Sequence, residues 1–318
     1  MATTVTAPGS FAQAQTDLGQ DYIFAVQAIL EEINERTSVL QMMPLLGDLV
    51  GSGTDTVRIA RYAGVGFAEA FTAMATETEQ IVPTGWTTDV DTATIARYGL
   101  GKSETYQGSI LNRADGVDLD LLVAKVPESV EKTMRDLMFT TMATITGVVG
   151  TASTAWTMDD EINLVTNFNE TSGFQGAVQT WRHSEQFSDL AASLRNEPAM
   201  QEPGVLSAIQ GLKVGGGAFQ FLGFDNHSSN DVTASGADHI GAAFAPGAIG
   251  RVVASTMPLQ GRVRDPSRAM LIPQIGLVIE WDSTSGTATA KFDANGWWGT
   301  ALLSSTLFPQ FRIRSIND

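Results

Sequence analysis

The 318-residue sequence contains no cysteine. That excludes disulfides, thiolate zinc sites, iron–sulfur clusters and cysteine nucleophiles together, and it fits a reducing cytoplasm. No apolar run approaches the ~18 residues of a membrane-spanning helix, so no membrane partner is expected. The opening stretch MATTVTAPGSFAQAQTDLGQ has neither the basic start nor the apolar centre of a signal peptide, which predicts a soluble protein that stays where it is made. Basic residues are scarce, 19 Lys and Arg against 35 Asp and Glu, for a formal charge of −16. Only Lys102, Lys125, Lys132, Lys213 and Lys291 are lysines. A surface so negative repels phosphate backbones, which argues against tight binding of nucleic acid. Ordinary solubility accounts for the charge equally well.

Catalytic patterns are equally scarce. There are three histidines, His183, His227 and His239. His227 and His239 with Asp225, Asp231 and Asp238 match no metal-ligand spacing and are expected in a polar surface loop. His183, at a predicted helix start, is expected to cap or to pack. Gly99-Leu100-Gly101-Lys102-Ser103 has the end of a phosphate loop but Ala96 where the first glycine belongs, and no helix follows. No G-x-S-x-G elbow occurs. Asp159, Asp160 and Glu161 are expected to cap a helix. No catalytic, cofactor or metal residue is assigned, and no enzyme is expected.

What is present is a mixture of elements that excludes a regular βαβ winding, so the expected class is α+β. Apolar residues at helical spacing predict a helix over 21–40, stopped by Pro44. Eight glycines between Gly51 and Gly108 punctuate strand-like alternation. Thr56–Tyr62 and Thr92–Tyr98 both alternate Thr with apolar residues and end in Arg-Tyr, which predicts the arms of a long hairpin with a polar tip over 75–86. Leu119, Leu122, Val126, Val130, Met134, Leu137, Met138 and Ile145 form an apolar stripe over 118–146. Pro127 predicts either two helices there or one beginning near Val126. Helices are expected over 183–195 and 205–213, a strand over 218–224, a short helix over 239–245, and a C-terminal β region built on a hairpin of 274–281 with 287–292. Trp281, Trp297 and Trp298 are expected to be buried in that sheet.

In its order of elements the chain resembles the major capsid proteins of tailed bacteriophages, the Johnson-fold family. Local stretches resemble that family too: Val178–Ser184 followed by Phe187–Leu190, and Asp238–Ile249. The resemblance implies an N-terminal arm and helix over 1–50, an extended loop hairpin over 51–111, and a peripheral domain with its spine helix over 112–150. It further implies an axial domain over 151–256 and a return of peripheral strands over 257–318. The implied function is a structural subunit that self-assembles, as hexamers and pentamers, into an icosahedral capsid shell. That shell would enclose double-stranded DNA without gripping it, and its place is the virion, assembled in the bacterial host cytoplasm. The short arm implies a separate scaffolding protein; a portal and a decoration protein are further possible partners. Some relatives are welded by a Lys–Asn bond from the extended loop, but no lysine lies between Gly51 and Gly101, so cross-linking is not expected. Alternatives are an encapsulin-type compartment, a tail-tube or decoration protein, and a carbohydrate-binding module.

Candidate inter-subunit contacts follow from the hairpin, which has too few large apolar residues to form a core alone. They are the apolar Phe67, Phe71, Ile81, Val82 and Trp86 and the cations Arg58, Arg61 and Arg97. The cluster Arg262, Arg264 and Arg268 is the densest basic group. Exposed ion pairs are worth only ~0–1 kcal/mol each, and an ordinary solvated face is the competing reading of these arginines.

Overall fold

A computed structural model describes residues 39, 42–49, 55–63, 87–105, 117–170, 176–196, 219–235, 238–254, 269–272, 275–283, 289–304 and 308–316. In chain order the elements are β1 (Leu45–Leu49), β2 (Thr56–Ala63), β3 (Thr87–Thr94), β4 (Ala96–Thr105), α1 (Val117–Met142), β5 (Val148–Val149), α2 (Met158–Glu170), β6 (Val178–Arg182) and α3 (Ser184–Asn196). There follow β7 (Phe219–Phe221), β8 (Phe224–Ser228), β9 (Ala234–Ser235), β10 (Asp238–Phe244), β11 (Ile249–Ala254), β12 (Ala269–Ile272), β13 (Leu277–Ser283), β14 (Thr289–Leu302) and β15 (Gln310–Ile316). The mixture is α+β, as the sequence predicts.

The first sheet is organised by its longest strand, β14. Along one edge β14 pairs with β13, from Ala290 opposite Ser283 to Gly296 opposite Leu277. Against its other edge β4 runs from Thr289 to Trp298, while β11 continues on the β13 side from Trp298 to Leu302, so that Trp298 is flanked by Ala96 and Val253. β12 completes one side through β13, and β1 joins β11 in parallel. Gly99–Ser103, the stretch that resembles a phosphate loop, lies in β4 as ordinary ladder opposite Lys291–Asn295.

The second sheet has the order β5-β15-β10-β6-β8-β7, with β9 beside β10. Its faces are covered on both sides. Trp181, Ala242 and Phe244 belong to one core with Val126, Val130, Met134, Met138 and Phe139 of α1. Val178, Ala243, Phe224 and Ile313 point the other way, to Leu164 and Phe168 of α2 and Leu190 and Leu194 of α3. Three crossovers link the sheets, the first running from β4 through α1 to β5. The β10–β11 turn and the β14–β15 connection are bonded to each other, with Leu303 N donating to Ala248 O at 2.8 Å and Ala245 N to Pro309 O at 3.0 Å.

α1 forms because Val126, Val130, Met134 and Met138 recur every four residues and are all buried. Its wet face carries Lys125–Glu128 at 2.6 Å and Lys132–Asp136 at 3.7 Å. Pro127 does not divide it: a single 26-residue helix runs through. The missing N–H removes one rung of the ladder, a cost of about 3 kcal/mol that burial of the following stripe offsets.

Several expectations are corrected. Residues 239–245 are not helical: 238–244 form β10, buried at every position. A strand covered on both faces loses the alternation that identifies strands, and its small residues mimic a helical run. Gly241 serves that packing, since a Cβ there would lie 2.5 Å from the Trp181 carbonyl oxygen. The expected strand over 218–224 is a hairpin instead, turning at Leu222 and Gly223, both at positive φ. The Thr92–Tyr98 arm is split at Ile95: Thr92–Thr94 pair with β2, whereas Ala96–Tyr98 pair with β14. Sheet membership alternates along the chain. β11 belongs to the first sheet and β15 to the second. The crossovers exchange the chain between sheets in both directions. The helices expected over 21–40 and 205–213 lie essentially outside the described residues, apart from a turn closed by Met43 N donating to Val39 O at 3.1 Å.

Candidate functional site

Among the described residues, the β2–β3 ribbon meets the first sheet at its base. Strict pairing from Thr56 opposite Thr94 to Ala63 opposite Thr87 sorts its side chains by face. Val57 and Ala93, with Ile95 just beyond, are buried against Val252, Ala254 and Ala301, and Ile59 packs beside them. Arg58, Ala60, Val90 and Thr92 share the opposite face, and all are exposed. A two-stranded ribbon cannot bury both faces by itself. Its outer face is therefore the open surface of this region.

The arginines expected at contacts divide. Arg58 is exposed on that outer face, and Arg61 stands opposite Asp89 in the ribbon. Arg97 is engaged within the chain: its Nε and Nη2 donate to Asn295 Oδ1 at 3.1 and 2.7 Å, and its guanidinium lies 5.5 Å from the Trp297 ring centre. Phe67, Phe71, Ile81, Val82, Trp86, Arg262, Arg264 and Arg268 lie outside the described residues. Trp298 is buried, stacked on Tyr98 and donating its Nε1–H to the Ile275 carbonyl, while Trp297 is half-buried.

The second sheet holds polar groups that sequence reasoning missed. Arg182 and Glu161, both fully buried, form a bidentate pair, Nη1 to Oε2 at 2.7 Å and Nη2 to Oε1 at 2.8 Å. Trp156 Nε1 donates to the same carboxylate at 2.9 Å. Glu161 is thus not the helix cap expected of it; Asp160 is, accepting from Thr157 N at 3.0 Å. Asp238 Oδ1 accepts from Ser153 N at 2.8 Å and its Oδ2 from Arg314 Nε at 2.8 Å. These bonds, the backbone one foremost, hold its carboxyl below the usual range.

The histidines are not in a surface loop. His227, in β8, stacks on Trp181 with ring centres 4.8 Å apart, and burial lowers its pKa against the opposing pull of Asp225. His183 follows β6 and His239 is the second residue of β10. Antiparallel pairing of these strands brings the two rings face to face, centres 3.5 Å apart and planes 13° from parallel. Glu185, in the first turn of α3, completes the group. Its Oε2 lies 2.7 Å from His239 Nε2 and 3.6 Å from His183 Nδ1. Burial, then the neighbouring His239, lowers the His183 pKa, and Glu185 opposes them. A histidine two residues before a glutamate at a helix start was visible in the sequence. The third member, more than fifty residues later, depends on strand pairing that no local pattern reveals.

The capsid of the cyanophage P-SCSP1u superposes on the chain with a TM-score of 0.53 at 11% identity, covering 86% of this chain and 87% of that one. The mature capsid of bacteriophage PhiM1 gives 0.53 at 9% identity and 86% coverage of each. The chain has the capsid fold. The holo-SrpI encapsulin complex of Synechococcus elongatus PCC 7942 shares it, at 0.53, 11% identity and 84% coverage of each chain. No family model and no curated protein sequence matches. The capsid fold is therefore carried by architecture, at identities where sequence comparison alone finds nothing.

Proposed function

We propose that this chain is the repeating structural subunit of a closed icosahedral phage capsid, and that it is not an enzyme. The observation that carries the reading is the capsid fold, spanning more than four-fifths of the chain and of its structural neighbours, with a ribbon whose outer face is left open. In this reading 51–111 is the extended loop that lies across a neighbour, and α1 is the spine helix. The first sheet with α1 forms the peripheral domain, and the second sheet with α2 and α3 forms the axial domain. Subunits meet as hexamers and pentamers. A separate scaffolding protein, a portal and a decoration protein are the expected partners, the DNA inside is confined and not gripped, and the particle is assembled in the host cytoplasm.

A second reading is an encapsulin-type compartment, favoured by the shared fold of the SrpI complex. Negative-stain microscopy with light scattering on the expressed protein, with and without a candidate scaffold, tests the assembly common to both. Closed shells, tubes or capsomer rings are expected, and a strictly monomeric protein under both conditions overturns it. The contents then separate the readings: nuclease-protected DNA in particles from infected cells for a capsid, a packaged protein for a compartment.

A further inference from the structure

We propose that His183, Glu185 and His239 form a binding site for a divalent transition-metal ion of zinc type. The inference stands on local geometry and is independent of the assembly reading. One ligand atom from each of the three residues falls within a sphere where all lie at most 4.8 Å apart. Two imidazoles and one carboxylate are a donor set that suits zinc, with a fourth position left for water or another ligand.

The surroundings favour a cation over a bare hydrogen-bonded triad. The side chains of His239 and His183 are only 6% and 11% exposed, whereas Glu185 is 42% exposed, so the cluster is enclosed on the imidazole side and open at the carboxylate. His183 Nδ1 accepts the Glu185 backbone N–H at 3.3 Å, which identifies it as an unprotonated nitrogen whose lone pair has to swing from that N–H to reach an ion. Two imidazolium rings stacked 3.5 Å apart would repel, and one carboxylate neutralises only one of them. A single dication uses both lone pairs and the carboxylate together. Zinc bonds of ~2.0–2.2 Å require ligand atoms roughly 3.3 Å apart. The 3.6 Å separation of His183 Nδ1 from Glu185 Oε2 is near that value. The 2.7 Å contact of His239 Nε2 with Glu185 Oε2 has to lengthen as the ion takes the place of the shared proton. The rings must also part slightly, since both in-plane lone pairs have to meet one point. His183, in the joint between β6 and α3, is the residue placed to move.

The ion would staple that joint, the first turn of α3 and the start of β10. The test uses the full chain, stripped with chelator and then given zinc or cobalt(II) alone. About one zinc per chain should survive gel filtration, cobalt should give the visible d–d bands of a low-symmetry site, and added zinc should raise the melting temperature. His183→Asn and Glu185→Gln alter the more accessible ligands. Both should remain folded by circular dichroism and lose more than about tenfold in zinc affinity, a loss that even outer-shell partners of metal ligands can cause. Absence of stoichiometric zinc on the wild-type chain, or equal affinity in folded variants, overturns the proposal.

Discussion

The two sheets are stabilised in opposite styles. The core between α1 and the first sheet is built from Val, Ile, Leu and Met with Phe139 and Trp298, and among the described residues its buried polar side chains are Thr141 and Asn295. In the second sheet and its helices Glu161, Thr180, Arg182, Gln186, Asn226, Asp238, His239, Gln310 and Ser315 are all buried. Apolar packing is non-directional and tolerates small displacements, whereas each buried polar group demands a partner in a fixed place. One body is held by volume and the other by direction. The ribbon thus has an adaptable base, and the second body a fixed one.

The largest effect separating the two styles should come from Glu161→Ala. It strands a fully buried Arg182 charge, and chemical denaturation should register a loss of about 3–5 kcal/mol. Replacing both partners by Leu and Met should recover most of that loss; failure to do so would mean that the pair is not the main directional element. Next comes Met138→Ala in the apolar core, with a loss of about 2–5 kcal/mol, while Met138→Leu stays under about 1.5 kcal/mol. If the leucine variant proved as damaging as the alanine one, the picture of an adaptable core would be wrong. At the ribbon base, a Cβ on Gly299 would lie 2.3 Å from the Thr94 carbonyl oxygen. Gly299→Ala should cost roughly 1–3 kcal/mol, and hydrogen exchange should rise first in β2 and β3.

The smallest effect is a slope with pH. Folded His227 has its pKa lowered from 6.5 by burial, so on acidification the unfolded chain binds the proton first. The associated stability is complete above about pH 6.5 and drains away below it, until folded His227 protonates as well. Melting temperatures of His227→Gln should vary less with pH in that window than those of the wild type. An unchanged slope would assign it to other groups.

The difference in style also decides what could be read in advance. α1 is legible because Val126, Val130, Met134 and Met138 repeat with the helix and the opposite face stays wet. The β13–β14 hairpin and α3 are legible for the same reason: one face is buried and the other is not. β10 defeats that logic, because Ala242 and Phe244 face α1 while Ala243 faces α2 and α3. The polar partners are harder still. Nothing near Arg182 announces Glu161, and His183 meets His239 only through the β6–β10 pairing. The contacts of Arg97 with Asn295 and Trp297 likewise span some two hundred residues and leave no local sign in the sequence.

The position of β14 sets a clock on the birth of the molecule. β4, β11 and β13 all depend on it, and Ala96 must wait for Trp298, some two hundred residues later. At roughly 5–20 residues per second of synthesis, that is a delay on the order of 10–40 s. The second sheet has the same habit, since β10 and β5 both wait for β15. During that interval the apolar stripe of α1 has emerged without the first sheet to cover it. The nascent chain therefore spends most of its manufacture without its first sheet, and a helper that shields α1 would act within those seconds.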